Sequence, residues 1–445
     1  MKTLNAGLLL TLALFSSASA QKKVQIHWYI GLGTGSDAQQ QPATRKVVER
    51  FNKSQNRIEL VPEYVNYNNA RDQLATRIAA GNVPDLVGPV GILGAASFQE
   101  QWLDLQPLIK KYKVDLSHVN KKVVDFYKSQ DPNGIPYAIY PSFLFINKDL
   151  FDEAGLPYPP QKYGEKYQSK AWDFAALRNI AMQLTVDKEG MDASMSDFDS
   201  KNIVQYGYFP QYTIEPQSLG SMFGAGIFAK GKTAQIPPQW IPAWQWFYDG
   251  MWKDHFIPTD AVQKSDAFGK DNVFNSGKLA IGYSHLWYTC CLDTAKDGGK
   301  VKNWDLAVVP AYNGKYTAKL NADTFRIMKG SRHKEEAFQV MLYLREQPEL
   351  LETYGAFPAD TRLQPKFLKI LQDKYTPLKI NWQVAMDSLN YVDIPSHEAG
   401  LPNHNKALDA VNAFTLKLMT KSGLNIKQEA ETLRKQLQGI FNEKK

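Results

Sequence analysis

The apolar positions of this chain fall into short blocks with clear periods. Residues 23–30 alternate and are rich in Val, Ile, Trp and Tyr, which predicts a strand. It runs into 31–36, Gly-Leu-Gly-Thr-Gly-Ser, a flexible loop. Val47, Val48 and Phe51 share one face of a helix predicted over 43–52. Residues 58–64 form the next strand, 67–80 a second amphipathic helix stopped by Gly81-Asn82, and 83–87 a short strand. This β-α-β-α-β order predicts a parallel sheet with crossover helices. Later strands are expected at 143–146, 205–209 and 279–284. A strand, a basic turn and a helix follow over 321–343; Ala337, Phe338, Val340, Met341 and Leu344 lie on the helix's apolar side. The tail over 407–442 reads as helix broken near Gly423, with Val411, Phe414 and Leu418 on one face before the break and Leu433, Leu437 and Phe441 after it. No sustained heptad, internal repeat or low-complexity tract appears.

The first 20 residues carry a different pattern. Lys2 precedes an apolar run over 8–15, and Ala18-Ser19-Ala20 supplies small residues for cleavage before Gln21. This is the pattern of a secretory signal peptide over 1–20, and the run is short for a membrane span. No Cys lies at the cleavage point, so no lipobox is present and a freely soluble periplasmic protein is expected. The mature chain of about 425 residues suffices for two domains. Removing the signal takes the formal net charge from +7 to +6. Lys110-Lys111 and Lys121-Lys122 are separate pairs on solvated helix faces, so no nucleic-acid partner is expected.

In parallel sheets, ligands sit beyond the carboxyl ends of the strands. The loops 29–36 and 88–94 therefore point at a candidate site. Gly31, Gly33 and Gly35 do not form a dinucleotide motif, because the third glycine comes too soon and no acid lies at the expected distance. No catalytic serine, zinc or Walker signature occurs, and no carboxylate pair sits in a recognisable catalytic context, so no enzyme, cofactor or metal is expected. The two cysteines, Cys290 and Cys291, are adjacent. An exported protein favours a vicinal disulfide; two reduced or separately buried thiols are the alternative.

The segment 135–160, IPYAIYPSFLFINKDLFDEAGLPYPP, resembles a signature of the extracellular solute-binding proteins that feed ABC importers, the family typified by the maltodextrin-binding proteins. AAGNVPDLV, Phe274 to Gly282, Asn321 to Tyr343 and Tyr354 to Arg362 resemble further family elements in the same order. The resemblance implies an α/β, two-lobe periplasmic-binding-protein fold, type II-like, with discontinuous lobes joined by a hinge. Lobe one would hold 21–140 plus 313–352, and lobe two 141–312 plus 353–445. The implied function is capture of a mono- or oligosaccharide between the lobes, by hinge closure, for delivery to ABC permease subunits by a monomer. A binding protein for a non-sugar solute, such as a phosphorylated polyol, and a secreted glycoside-active enzyme are the other readings.

A sugar site needs flat rings under its CH faces and polar groups around its rim. Relatives place a stacking Trp where Trp287 ends the strand 279–284, and a polar contact where Tyr140 precedes the signature strand. Tyr212 and Glu215 fall near further family contacts, Tyr29 and Thr34 lie at the first loop, and Asp323 and Arg362 are candidate charged partners. Surface ion pairs are the alternative for these last two. The loop 88–94 lacks the acids and aromatics of maltodextrin-binding relatives, and the first loop lacks their acidic–basic pair. That difference points away from maltose itself. A bridge between Cys290 and Cys291 would lie close to the cleft, with an apolar edge.

Overall fold

The computed structural model describes residues 22–130, 134–269, 272–293, 298–395 and 400–443. The signal peptide expected over 1–20 lies outside them. The β-α-β-α-β start forms as its periodicity predicts: Val24–Ile30 pairs in parallel with Ile58–Tyr64 and with Leu86–Gly91. Helix Gln41–Ser54 buries Thr44, Val47, Val48 and Phe51. Helix Tyr67–Ala79 begins at Asn66, whose side chain accepts a hydrogen bond from the Asn68 backbone N–H, satisfying a donor the first turn leaves open.

The main sheet, among the described residues, runs in the order Ile58–Tyr64, Val24–Ile30, Leu86–Gly91, Leu320–Ile327, Ile135–Asn147, Leu279–His285, Ile203–Pro210, Val186–Asp187. Strand Ile135–Asn147 holds it together, and all of its 13 residues are buried. Its first half pairs with Leu320–Ile327 and Phe357–Pro358; its second half pairs with Leu279–His285 and Trp304–Ala307. The change of partner falls at Pro141 and Ser142. Pro141 has no N–H to give to a ladder. The Ser142 hydroxyl accepts from Lys319 N at 2.8 Å and from the Tyr283 hydroxyl at 3.0 Å, tying both sides of the crossing together. The strand is far longer than the expected 143–146. Its first half reads as irregular because Pro136 and Pro141 interrupt it, and only partners some 180 residues away define it as strand.

The tail folds as helices His404–Thr420 and Ile426–Asn442, with Gly423 at positive φ between them. The expected apolar faces are buried. Among the described residues, no helix is long and apolar enough to cross a membrane.

Candidate ligand-binding site

Strands Val24–Ile30 and Leu86–Gly91 are parallel, as are Ile203–Pro210 and Leu279–His285. The segments that follow these four strands meet around a cavity of about 490 Å³, within the usual range for small-molecule sites. Trp287, Tyr140, Tyr212, Glu215, Thr34 and Asp323 all line it, as do Cys290 and Cys291. Thus six of the eight residues singled out for binding converge, although they lie up to 289 positions apart.

Trp287 sits in a single 3-10 turn, Leu286–Cys290, at the end of strand Leu279–His285. Its ring lies 4.1 Å from that of His285, tilted by 35°, and 5.3 Å from that of Tyr140. His285 is buried, and its Nδ1 lies 2.8 Å from the Tyr140 carbonyl oxygen. A carbonyl only accepts, so Nδ1 carries the proton and Nε2 accepts from the Asn321 amide at 3.2 Å. Burial, with the Lys319 charge, holds the imidazole well below its ordinary pKa. It is a neutral, fixed support for the indole.

Tyr140 lies inside the long strand, 1% exposed, rather than ahead of it. Its hydroxyl donates to Asp323 Oδ2 at 3.3 Å. Burial, and then the Asp323 charge, push the phenol well above its ordinary range. Asp323 fits because two glycines leave space: a Cβ at Gly33 would stand 3.1 Å from Asp323 Oδ2 and 2.5 Å from the Pro89 carbonyl oxygen. Gly91 gives the second opening, 3.3 Å from Oδ1.

Tyr212 has φ +58° and is 51% exposed, presenting its ring edge-on to Tyr288 at 5.8 Å. Packing against protein and the nearby Asp37 carboxylate raise its phenol pKa. Asp37 comes from the first loop and Tyr212 from the far side of the sheet, so the pair spans the cavity. Glu215 accepts from the Ser218 hydroxyl at 3.1 Å. Gln217 lines the same space, and its side-chain oxygen is buried with no hydrogen-bond partner among the described residues, a costly state for a polar atom. A second cavity of about 340 Å³ shares Leu32, Tyr67, Leu93, Gly94 and Glu215 with the first and continues to Arg71 and Asn412.

Two candidates are elsewhere. Tyr29 is fully buried under helix Tyr67–Ala79 and donates to the Ala70 carbonyl oxygen at 2.8 Å. The strand's alternation turns it away from the cavity. Arg362 pairs with Asp360 and does not line the cavity. Sequence reasoning missed Asp37, Tyr67, Gln217, Lys319 and Asn321. Lys319, Asn321 and Asp323 are spaced by two, the period of one strand face, which could have found them once Asp323 was chosen. Gln217 had no such signal.

The bacterial extracellular solute-binding protein model matches residues 35–347. The chain belongs to the bacterial extracellular solute-binding protein family. Solved relatives agree on the fold. This solute-binding protein is similar to an ABC substrate-binding protein from Listeria monocytogenes in complex with cycloalternan, with TM-score 0.72, 20% identity, and 95% of this chain and 100% of that chain covered. It is similar to a solute-binding protein from Thermotoga lettingae bound with alpha-D-tagatose, at TM-score 0.70, 17% identity, 94% and 100% covered. The sugar-binding protein MalE from Xanthomonas citri matches at TM-score 0.67, 16% identity, 94% and 97% covered. The solute-binding protein therefore has the two-lobe α/β fold of these relatives.

Proposed function

We propose that this solute-binding protein captures a neutral carbohydrate in the 490 Å³ cavity and delivers it to an ABC permease. The observation that carries the reading is the composition of the cavity wall. Trp287, Tyr212 and Tyr67 offer flat apolar rings, while Asp37, Glu215 and the Gln217 amide offer hydrogen-bonding groups for hydroxyls, with the buried Tyr140–Asp323 pair behind them. The named ligands of the structural relatives, cycloalternan and tagatose, support a sugar. Among the described residues, the wall sets one cation, Lys319, against three carboxylates. That balance disfavours a phosphorylated polyol, which would recruit Arg and Lys. Bound solute would close the two lobes about the crossing strand, the hinge motion periplasmic binding proteins use.

In this reading residues 1–20 are removed on export to the periplasm, and the monomer works without a cofactor. Lobe one holds 21–140 plus 313–352, and lobe two holds 141–312 plus 353–445. The exchange of partners along Ile135–Asn147 at Pro141 and Ser142 supports a crossing there.

A thermal-shift screen tests the function, because a solute that binds only the folded state raises the melting temperature. The panel is D-glucose, D-galactose, D-mannose, D-fructose, D-tagatose, and the maltose, cellobiose and mannobiose series up to the tetrasaccharides. At least one should raise it and be recovered chemically unchanged. No shift across the panel would overturn the carbohydrate reading; consumption of a saccharide would overturn the non-catalytic one.

A further inference from the structure

Cys290 and Cys291, the chain's two cysteines, are bonded to each other. A disulfide ordinarily stabilises a fold by closing a loop, and the gain grows with the residues enclosed. Here the Cα atoms are 3.8 Å apart, the separation a trans peptide already imposes. The bridge therefore cross-links nothing that the chain does not hold by itself. What it changes is local: two thiols become one apolar S–S edge, and the turn that carries them loses freedom.

That turn is held from behind by its carbonyl groups. The Thr289 oxygen accepts from Tyr375 at 2.7 Å and from Lys374 at 3.1 Å. The Cys291 oxygen accepts from the Asn275 amide at 2.7 Å. Both cysteines line the cavity beside Trp287, and both keep part of their surface exposed. A bridge without a fold-level task has been placed in the wall that the solute meets.

We propose that the Cys290–Cys291 bridge is a ligand-contacting wall of the carbohydrate cavity, an apolar edge beside the Trp287 ring that sets affinity rather than stability. This rests on the carbohydrate reading above.

The test compares untreated protein, protein reduced with tris(2-carboxyethyl)phosphine, and the C290S/C291S variant. In the reduction the phosphine supplies two electrons, the sulfurs take up two protons, and the phosphine leaves as its oxide with oxygen from water. Mass spectrometry after alkylation reports the thiols, thermal melting of the free protein reports stability, and calorimetry reports affinity. The calorimetric probe is whichever panel saccharide binds the untreated protein most tightly. Expected are no labelled thiols before reduction, a melting temperature of the free protein within about 2 °C in all three samples, and affinity weaker by roughly fivefold to twentyfold in the two lacking the bridge. Equal affinity in all three overturns the proposal. So does free labelling of both thiols, or a large melting-temperature fall that accounts for the lost binding. If no panel saccharide binds untreated protein, the carbohydrate reading fails and this inference with it; equal binding by all three samples removes only the bridge.

Discussion

Gly355 lies against the backbone of Trp287: a Cβ at Gly355 would stand 2.5 Å from the Trp287 carbonyl oxygen. Gly355 also has φ +62°, a conformation that side chains disfavour. Gly355→Ala should therefore cost about 2–3 kcal/mol of stability, from strain and clash together. It should also weaken solute binding, because the indole moves with its backbone. Urea unfolding and calorimetry on the same sample check both; unchanged binding would show that Trp287 does not depend on this contact.

Trp287 itself should matter more for binding than for folding. Its ring is supported by His285 and Tyr140, yet it is only partly buried. Trp287→Ala should lose about 2–4 kcal/mol of binding energy, the range of aromatic anchors, while Trp287→Phe keeps part of it. Calorimetry with the tightest-binding panel saccharide measures the difference.

Gln217 gives the opposite pairing of effects. Its side-chain oxygen is buried without a partner among the described residues of the free protein. Removing an unsatisfied polar group costs the free fold little. Gln217→Leu should leave unfolding free energy within about 1 kcal/mol, yet weaken solute binding by about tenfold, a lost hydrogen bond. A free protein destabilised by several kcal/mol would mean that Gln217 has a structural partner instead.

Acid should destabilise the protein through its buried histidines. Burial lowers the pKa of His404 to about 4 and holds that of His285 well below the usual value. Above the unfolded value of about 6.5, both states are neutral and neither group contributes a pH dependence. As pH falls below it, the unfolded chain takes up protons that the native fold refuses, so stability falls. Between pH 7 and pH 5, His404 alone should account for about 2 kcal/mol of loss, with His285 adding in the same direction. Urea midpoints at the two pH values measure this, and His404→Gln should flatten the profile.

The pattern along the chain was enough to locate the opening strands and helices. Ile58–Tyr64 was legible to the residue, and the tail helices bury the faces their spacing assigns. Those elements are set by local periodicity, because one face of each must be apolar. The family, too, was legible in ordered short motifs, and six candidate binding residues converge on the cavity, Thr34, Tyr212, Glu215 and Trp287 from segments after strands and Tyr140 and Asp323 from within strands.

Tertiary structure alone decided the rest. The long strand Ile135–Asn147 exists through partners distant in sequence, so its own residues could not define its length. Tyr29 and Tyr140 are both tyrosines at the sheet, but pleat and neighbours bury one under a helix and bring the other to the cavity. The support of Trp287 by His285, Asn321 and Gly355 joins three separate segments. Sequence determines which faces must be covered; only packing determines what covers them and what remains open to a solute.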